Sequence, residues 1–184
     1  MNTKRVKDLM VPIDEYAVVA ENATLAEALK ALDSAQKKLP AGKPPHRAVL
    51  VKNAAGKVVG KLGHHGFLEA LEPKYHTLGD VDKLSRAGVS REVMDMMRQN
   101  FSFWQDDLDL TCRRAHNIRI KDVMKTVEYS LEENAALAEA IHLLIMWQVL
   151  SLLVTRDNQV VGILRLSDLF AEIAEKIKQS SPEC

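Results

Sequence analysis

Three short segments of this chain occur twice, in the same order. Val6-Lys7-Asp8-Leu9-Met10 returns as Ile120-Lys121-Asp122-Val123-Met124. The run from Glu21-Asn22-Ala23 to Leu29 returns as Glu133-Asn134-Ala135 to Ile141. Val58-Val59-Gly60 returns as Val160-Val161-Gly162. The spacing between copies shrinks along the chain, as it does when only loop lengths change. A doubled unit constrains the fold strongly. Each copy is too small to bury enough apolar surface alone. Two copies are therefore expected to cover each other's sheets about a pseudo-two-fold axis, as one α+β body with a cleft between the halves.

Both copies follow one pattern. After the Lys-Asp-x-Met turn comes a short extended piece, Tyr16 to Val19 or Val127 to Leu131. A helix follows, with Leu25, Ala28, Leu29 and Leu32 forming an apolar stripe in the first copy. Leu137, Ala140, Ile141 and Leu144 repeat it in the second. Thr24-Leu25-Ala26-Glu27 has the form of a capping box, with Asn22 as a rival cap. Two apolar runs then flank Lys52-Asn53-Ala54-Ala55-Gly56, a hairpin signal. Their counterparts are Leu150 to Thr155 and Val160 to Leu164. A final helix closes each unit, from about His65 to Leu71 and from Ser167 to about Lys178. The expected layout is a first unit at 1–71, an inserted helical segment at 72–119 and a second unit at 120–184.

Composition sets outer limits. Lys and Arg total 25 and balance 25 Asp and Glu, which disfavours a protein held to nucleic acid by phosphate contacts. Two cysteines, Cys112 and Cys184, have neither zinc spacing nor the look of a disulfide framework. The start runs into Val-Lys-Asp instead of an apolar signal stretch, and no run of about 18 apolar residues suggests a membrane span. The expected compartment is the cytoplasm.

The order strand, helix, strand, strand, helix, with Asp-Leu-Met or Asp-Val-Met at the entrance and Val160-Val161-Gly162-Ile163-Leu164, then Ser167-Asp168-Leu169, at the exit, resembles the CBS domain. Two in tandem resemble a CBS pair, or Bateman module. The resemblance covers nearly the whole chain outside its middle. It implies a regulatory, non-catalytic module that binds AMP, ADP, ATP or S-adenosylmethionine between the halves and acts on an attached or partner protein. It also implies a homodimer, often a face-to-face disc.

The resemblance implies specific site residues. In the family a carboxylate at the position of Asp168 accepts the ribose hydroxyls, and the helix N-terminus faces the phosphates. Arg165 stands where the family has Thr, and it either pairs with a phosphate or fills space. Ser167 and Asp168 also suit a helix start without any ligand, Ser167 as N-cap and Asp168 at the positive end of the dipole. The stretch Leu150-Ser151-Leu152-Leu153 matches one where the family often has a Pro against the base. The Pro is missing here, and Ser151 is the candidate contact, with Thr126 and Val127 on the other wall. Leu150, Leu152 and Leu153 read equally as sheet core.

The first copy lacks this chemistry. Gly63 aligns with Arg165 and Gly66 with Asp168, so no carboxylate is available. His64 and His65 are expected to be solvated loop residues. One competent and one degenerate site are therefore expected.

The middle is longer than a simple linker. Val93, Met97, Phe101, Trp104, Leu108, Cys112 and Ala115 recur three or four residues apart, which predicts one long amphipathic helix from about Ser90. Phe101, Trp104 and Leu108 are its candidate interface residues, for a dimer seam or a partner. Packing back onto the module explains the stripe equally well. A basic cluster, Arg113, Arg114, His116, Arg119 and Lys121, follows acidic Asp106, Asp107 and Asp109, as on a solvated mixed surface. His142 reads as a core or interface histidine. No nucleophile–base or paired-carboxylate arrangement suggests an enzyme. The competing reading is a ligand-free oligomerising or adaptor protein with degenerate CBS sites.

Overall fold

The structure, a computed structural model of the chain, describes residues 4–72, 74–75, 88, 90–101, 107–126 and 129–180. From the first repeat come β1 (Val11–Pro12), β2 (Val18–Ala20), α1 (Leu25–Lys37), β3 (Ala48–Lys52), β4 (Val58–Gly63) and α2 (His64–Leu71). The middle contributes α3 (Arg91–Phe101) and α4 (Leu108–Arg114). From the second repeat come α5 (Ile120–Val123), β5 (Lys125–Thr126), β6 (Ser130–Glu132), α6 (Leu137–Trp147), β7 (Ser151–Arg156), β8 (Gln159–Arg165) and α7 (Leu166–Gln179). The result is an α+β body with two four-stranded sheets, ordered β2-β3-β4-β5 and β1-β8-β7-β6.

Each sheet takes its edge strand from the other repeat. β1 pairs with β8, and β5 pairs with β4. The three repeated motifs meet crosswise. The Val6 and Lys7 amides donate to the carbonyls of Ala135 and Glu133, while those of Ile120 and Lys121 donate to Ala23 and Glu21. Val6 is fully buried in the second unit's core and Ile120 in the first's. The glycine of each Val-Val-Gly makes room for the crossing strand. A Cβ on Gly162 would lie 2.7 Å from the Val11 carbonyl oxygen, and one on Gly60 would lie 2.6 Å from the Met124 sulfur. The motifs repeat together because each is the packing partner of the others in the opposite copy.

A third apolar cluster joins the two sheets. Tyr16, Leu50, Val58, Leu153 and Ile163 are buried there, contributed by both repeats. Each fully buried Leu or Ile contributes about 1.5–3 kcal/mol, so neither sheet is complete without the other.

Local signals place the elements well. Thr24 caps α1, its hydroxyl accepting from the Glu27 amide while Glu27 accepts from the Thr24 amide at 2.6 Å. Asp157 and Asn158 take positive φ in the second hairpin's two-residue turn, which suits that short connection. Several expectations fail. Leu29 is exposed, because α1 packs through a narrower stripe of Leu25, Ala28 and Leu32. Leu150 is exposed just before β7, while Leu152 and Leu153 are buried. His142 is exposed on α6, which removes the core reading of it and leaves the interface one.

The middle is not one long helix. Asp107 has extended backbone angles (φ −56°, ψ 130°), and its carboxylate accepts from the Asp109 amide, so α4 starts afresh there. A capping aspartate ends the apolar periodicity that suggested continuity. Leu108, in its first turn, is exposed. Trp104 and the Phe101 side chain lie outside the described residues.

Candidate functional site

The candidate site is built where β8 turns into α7. Backbone pairing runs Ser151 against Arg165, and the Leu166 amide donates to the Leu150 carbonyl, so the strand delivers Arg165 directly to the helix start. Arg165 is itself the helix N-cap, and no side chain caps α7. Ser167, expected as the cap, sits half-buried within the first turn. The cap position is filled by a residue whose own side chain turns inward.

That side chain organises the site. The Arg165 guanidinium forks onto Asp168, Nε to Oδ2 at 2.5 Å and Nη2 to Oδ1 at 2.6 Å. Its Nη1 donates to the Pro44 carbonyl at 2.8 Å and meets His46 Nδ1 at 3.2 Å. Arg165 is 5% exposed and His46 2%. Such bidentate charge-assisted pairs are strong and directional. The carboxylate that a ribose would need is already held by an arginine.

The other contacts come from the first repeat. Pro44 and His46 lie in the loop between α1 and β3, which the second copy lacks at this length. The Gln36 side chain accepts the His46 amide and ties the loop to α1. The His46 ring packs edge-on against Tyr16, centroids 4.3 Å apart. Arginine only donates, so His46 Nδ1 accepts and the proton sits on Nε2. That nitrogen is buried and makes no hydrogen bond of good geometry among the described residues, with the Glu15 backbone as its nearby acceptor. Burial, then the Arg165 charge, holds the His46 pKa below its usual 6.5, with the Glu15 backbone and Asp168 offsetting part of this. Burial pushes the Tyr16 phenol up to about 12, with Arg165 lowering it less than burial raises it. Histidine and phenol are thus both held neutral around a buried ion pair.

The remaining expected residues lie nearby. Ser151 is half-buried at the start of β7, and both its carbonyl (2.9 Å) and its hydroxyl (3.3 Å) accept from the Lys61 ammonium of the first repeat. Thr126 is exposed on β5, paired with Gly60. Val127 lies outside the described residues. The structure thus joins Arg165 to Asp168, and Ser151 to a lysine that sequence reasoning passed over. His64 and His65 are exposed, as expected, but they form the first turn of α2 instead of a loop.

His46, Tyr16 and Lys61 escaped sequence reading. Lys61 had a usable signal, as the single charge in an apolar strand whose counterpart is Ile163. His46 had none, since its loop has no equivalent in the second copy. A separate surface cleft of about 390 Å³, lined by residues including Arg114, Arg119 and Asp122, lies beside α5. Among the described residues no cluster of three or more His, Cys, Asp or Glu could hold a metal ion. No described helix is long and apolar enough to cross a membrane.

Comparison with known proteins agrees with this architecture. The family model of the CBS domain matches residues 120–175. The CBS-pair protein CBSX2 from Arabidopsis thaliana superposes with a TM-score of 0.62 at 18% identity, over 98% of this chain and 100% of that one. A CBS domain-containing protein from Bacillus anthracis gives 0.61 at 18% identity, over 94% of each chain. CBSX2 in complex with AMP gives 0.56 at 18% identity, over 95% of this chain and 98% of that one. No curated protein matches the chain by sequence. The second repeat therefore matches the CBS domain model, and the chain as a whole has the fold of CBS-pair proteins.

Proposed function

We propose that this CBS pair is a regulatory module, and no enzyme, that senses an adenine nucleotide or related adenosyl ligand between its repeats, chiefly through the second. The observation that carries this reading is Asp168, a mostly buried carboxylate in the first turn of α7, held by Arg165 against the Pro44–His46 loop of the first repeat. The AMP complex of a protein of the same fold supports the ligand class. Arg165 holds Asp168, so ribose hydroxyls must either share its remaining lone pairs or displace the guanidinium. Ser151 and Thr126 border the base.

The expected result of titrating AMP, ADP, ATP and S-adenosylmethionine calorimetrically is saturable heat with at least one, weakened in Asp168→Asn. No heat with any of them overturns the ligand reading.

A second reading is an adaptor without ligand, favoured by the occupied Asp168 carboxylate. Ile145, Met146, Phe170 and Ile177 leave α6 and α7 with exposed apolar side chains, which supports a homodimer and contact with a regulated protein in either case. Mass measured in solution is expected to fall from dimer to monomer in Phe170→Asp.

A further inference from the structure

The two crossing edges differ in one respect that the repeat does not predict. In the second sheet Val11 stands opposite Ile163. At the matching place in the first sheet Lys125 stands opposite Lys61. Directly opposed side chains share a sheet face, and like charges there are destabilising. An apolar pair in one copy has thus become a pair of cations in the other.

Lys61 is the inner member. It reaches across to β7 of the second repeat, and both of its acceptors belong to Ser151 and are neutral. Among the described residues it makes no ion pair. An ammonium has three donors, so one remains beyond these two contacts. Ser151 is the register partner of Arg165, which places this ammonium on the strand that borders the Arg165–Asp168 site. The Asp168 carboxylate is held by Arg165 and does not neutralise Lys61. Burial, then the Lys125 charge, pulls the Lys61 pKa below its usual 10.5, the direction expected of a cation without an anion beside it.

We propose that Lys61 is a binding residue for the phosphate of an anionic ligand, so that the cleft takes a nucleotide in preference to S-adenosylmethionine. This rests on the reading of the cleft as a nucleotide site and decides its ligand class. A phosphate placed at Lys61 adds a charge-assisted hydrogen bond to an ammonium whose acceptors among the described residues are neutral. S-adenosylmethionine carries a net positive charge and brings no such gain.

The test compares ADP, adenosine, S-adenosylmethionine and inorganic pyrophosphate, titrated into the full chain and into Lys61→Met and Lys61→Arg, with thermal melts to verify folding. Lys61→Met keeps most of the stem and removes the charge. Lys61→Arg keeps the charge and serves if Lys61→Met fails to fold. ADP is expected to bind at least about tenfold more tightly than adenosine. That preference disappears in Lys61→Met and persists in Lys61→Arg, while adenosine affinity stays within about twofold. Pyrophosphate binding is expected to follow Lys61 in the same way. Tighter binding of S-adenosylmethionine than of ADP overturns the proposal. So does an unchanged ADP preference in Lys61→Met, or no wild-type binding of either ADP or pyrophosphate. Lys61-dependent pyrophosphate binding with no response to adenosine or ADP sinks the nucleotide reading and leaves the anion site standing.

Discussion

The two strand-to-helix turns of this molecule begin from the same backbone and end in opposite chemistry. Ala48 pairs with Gly63 as Ser151 pairs with Arg165, and the His64 amide donates to the Arg47 carbonyl as the Leu166 amide donates to Leu150. At the second turn a buried guanidinium and carboxylate fill the space. At the first, two glycines stand in their places. Gly66 could not have kept a carboxylate without rearrangement, because a Cβ there would lie 2.6 Å from Leu62 Cδ1. The tyrosine ahead of each parallel strand diverges too. Tyr16 meets His46 edge-on, whereas Tyr129 stacks on Trp147 with centroids 3.9 Å apart. Backbone pairing keeps the copies alike, while side chains at the two turns are free to differ.

The sharpest way to break this contrast is to remove one member of the buried pair. Arg165→Ala leaves Asp168 without its cation and strands the Pro44 carbonyl. Breaking a buried pair on one side costs about 3–5 kcal/mol, to be read as a fall in the urea midpoint. Replacing both, Arg165→Met with Asp168→Leu, is expected to recover most of that loss. Recovery would mean that the pair is kept for the site and not for stability. If Arg165→Ala costs nothing, the guanidinium is not the latch its contacts describe.

The glycines rank next, and they rank against each other. Gly162→Ala presses on a backbone oxygen of the crossing strand, which cannot swing away. Gly66→Ala presses on the end of a leucine side chain, which can. Overpacking of this kind costs about 1–3 kcal/mol, with Gly162→Ala at the upper end and Gly66→Ala at the lower. Denaturant curves of the two variants check the order. The reverse order would mean that the crossing of β1 onto β8 is looser than drawn.

These cases show what was legible in the sequence. The repeat, both hairpins, the Thr24 cap and the closing helices could be read from local pattern, because turn residues and apolar periodicity act within a few positions. The crosswise pairing could not, since Lys-Asp-x-Met looks like a simple lead-in until its partners in the other copy are known. Asp168 was legible from its motif, but the occupant of its carboxylate was only half so. Arg165 was noticed as a replacement, yet its hold on the Pro44–His46 loop spans more than a hundred residues. The break at Asp107 was missed because an apolar spacing of three and four carries on through a helix start as readily as through a helix.

The His46 contact adds a smaller, pH-dependent effect. Neutral His46 accepts from Arg165, and it faces Arg165, Asp168, Tyr16 and the backbone of Glu15. Its folded pKa lies below the 6.5 of an unfolded chain, so the folded state binds fewer protons as pH falls. Its contribution is fully present above that value and is lost as acid carries pH below it. The urea midpoint of the wild type is expected to drop between pH 7.5 and 5.5 by more than that of His46→Asn. Equal slopes would show that the loop does not close on a neutral histidine.

The weakest expected effect belongs to the residue that local sequence rules put forward most readily. Ser167 precedes Asp168 at a helix start and reads as a cap, a role that Ser→Ala substitution exposes at about 1 kcal/mol. Here the cap position is Arg165, and Ser167 makes no capping bond. Ser167→Ala is therefore expected to shift stability by less than about 0.5 kcal/mol, and thermal melts resolve the difference. A loss of about 1 kcal/mol or more would place the start of α7 two residues later, with Ser167 as its cap. The size of this small effect therefore fixes which residue opens the helix that carries Asp168.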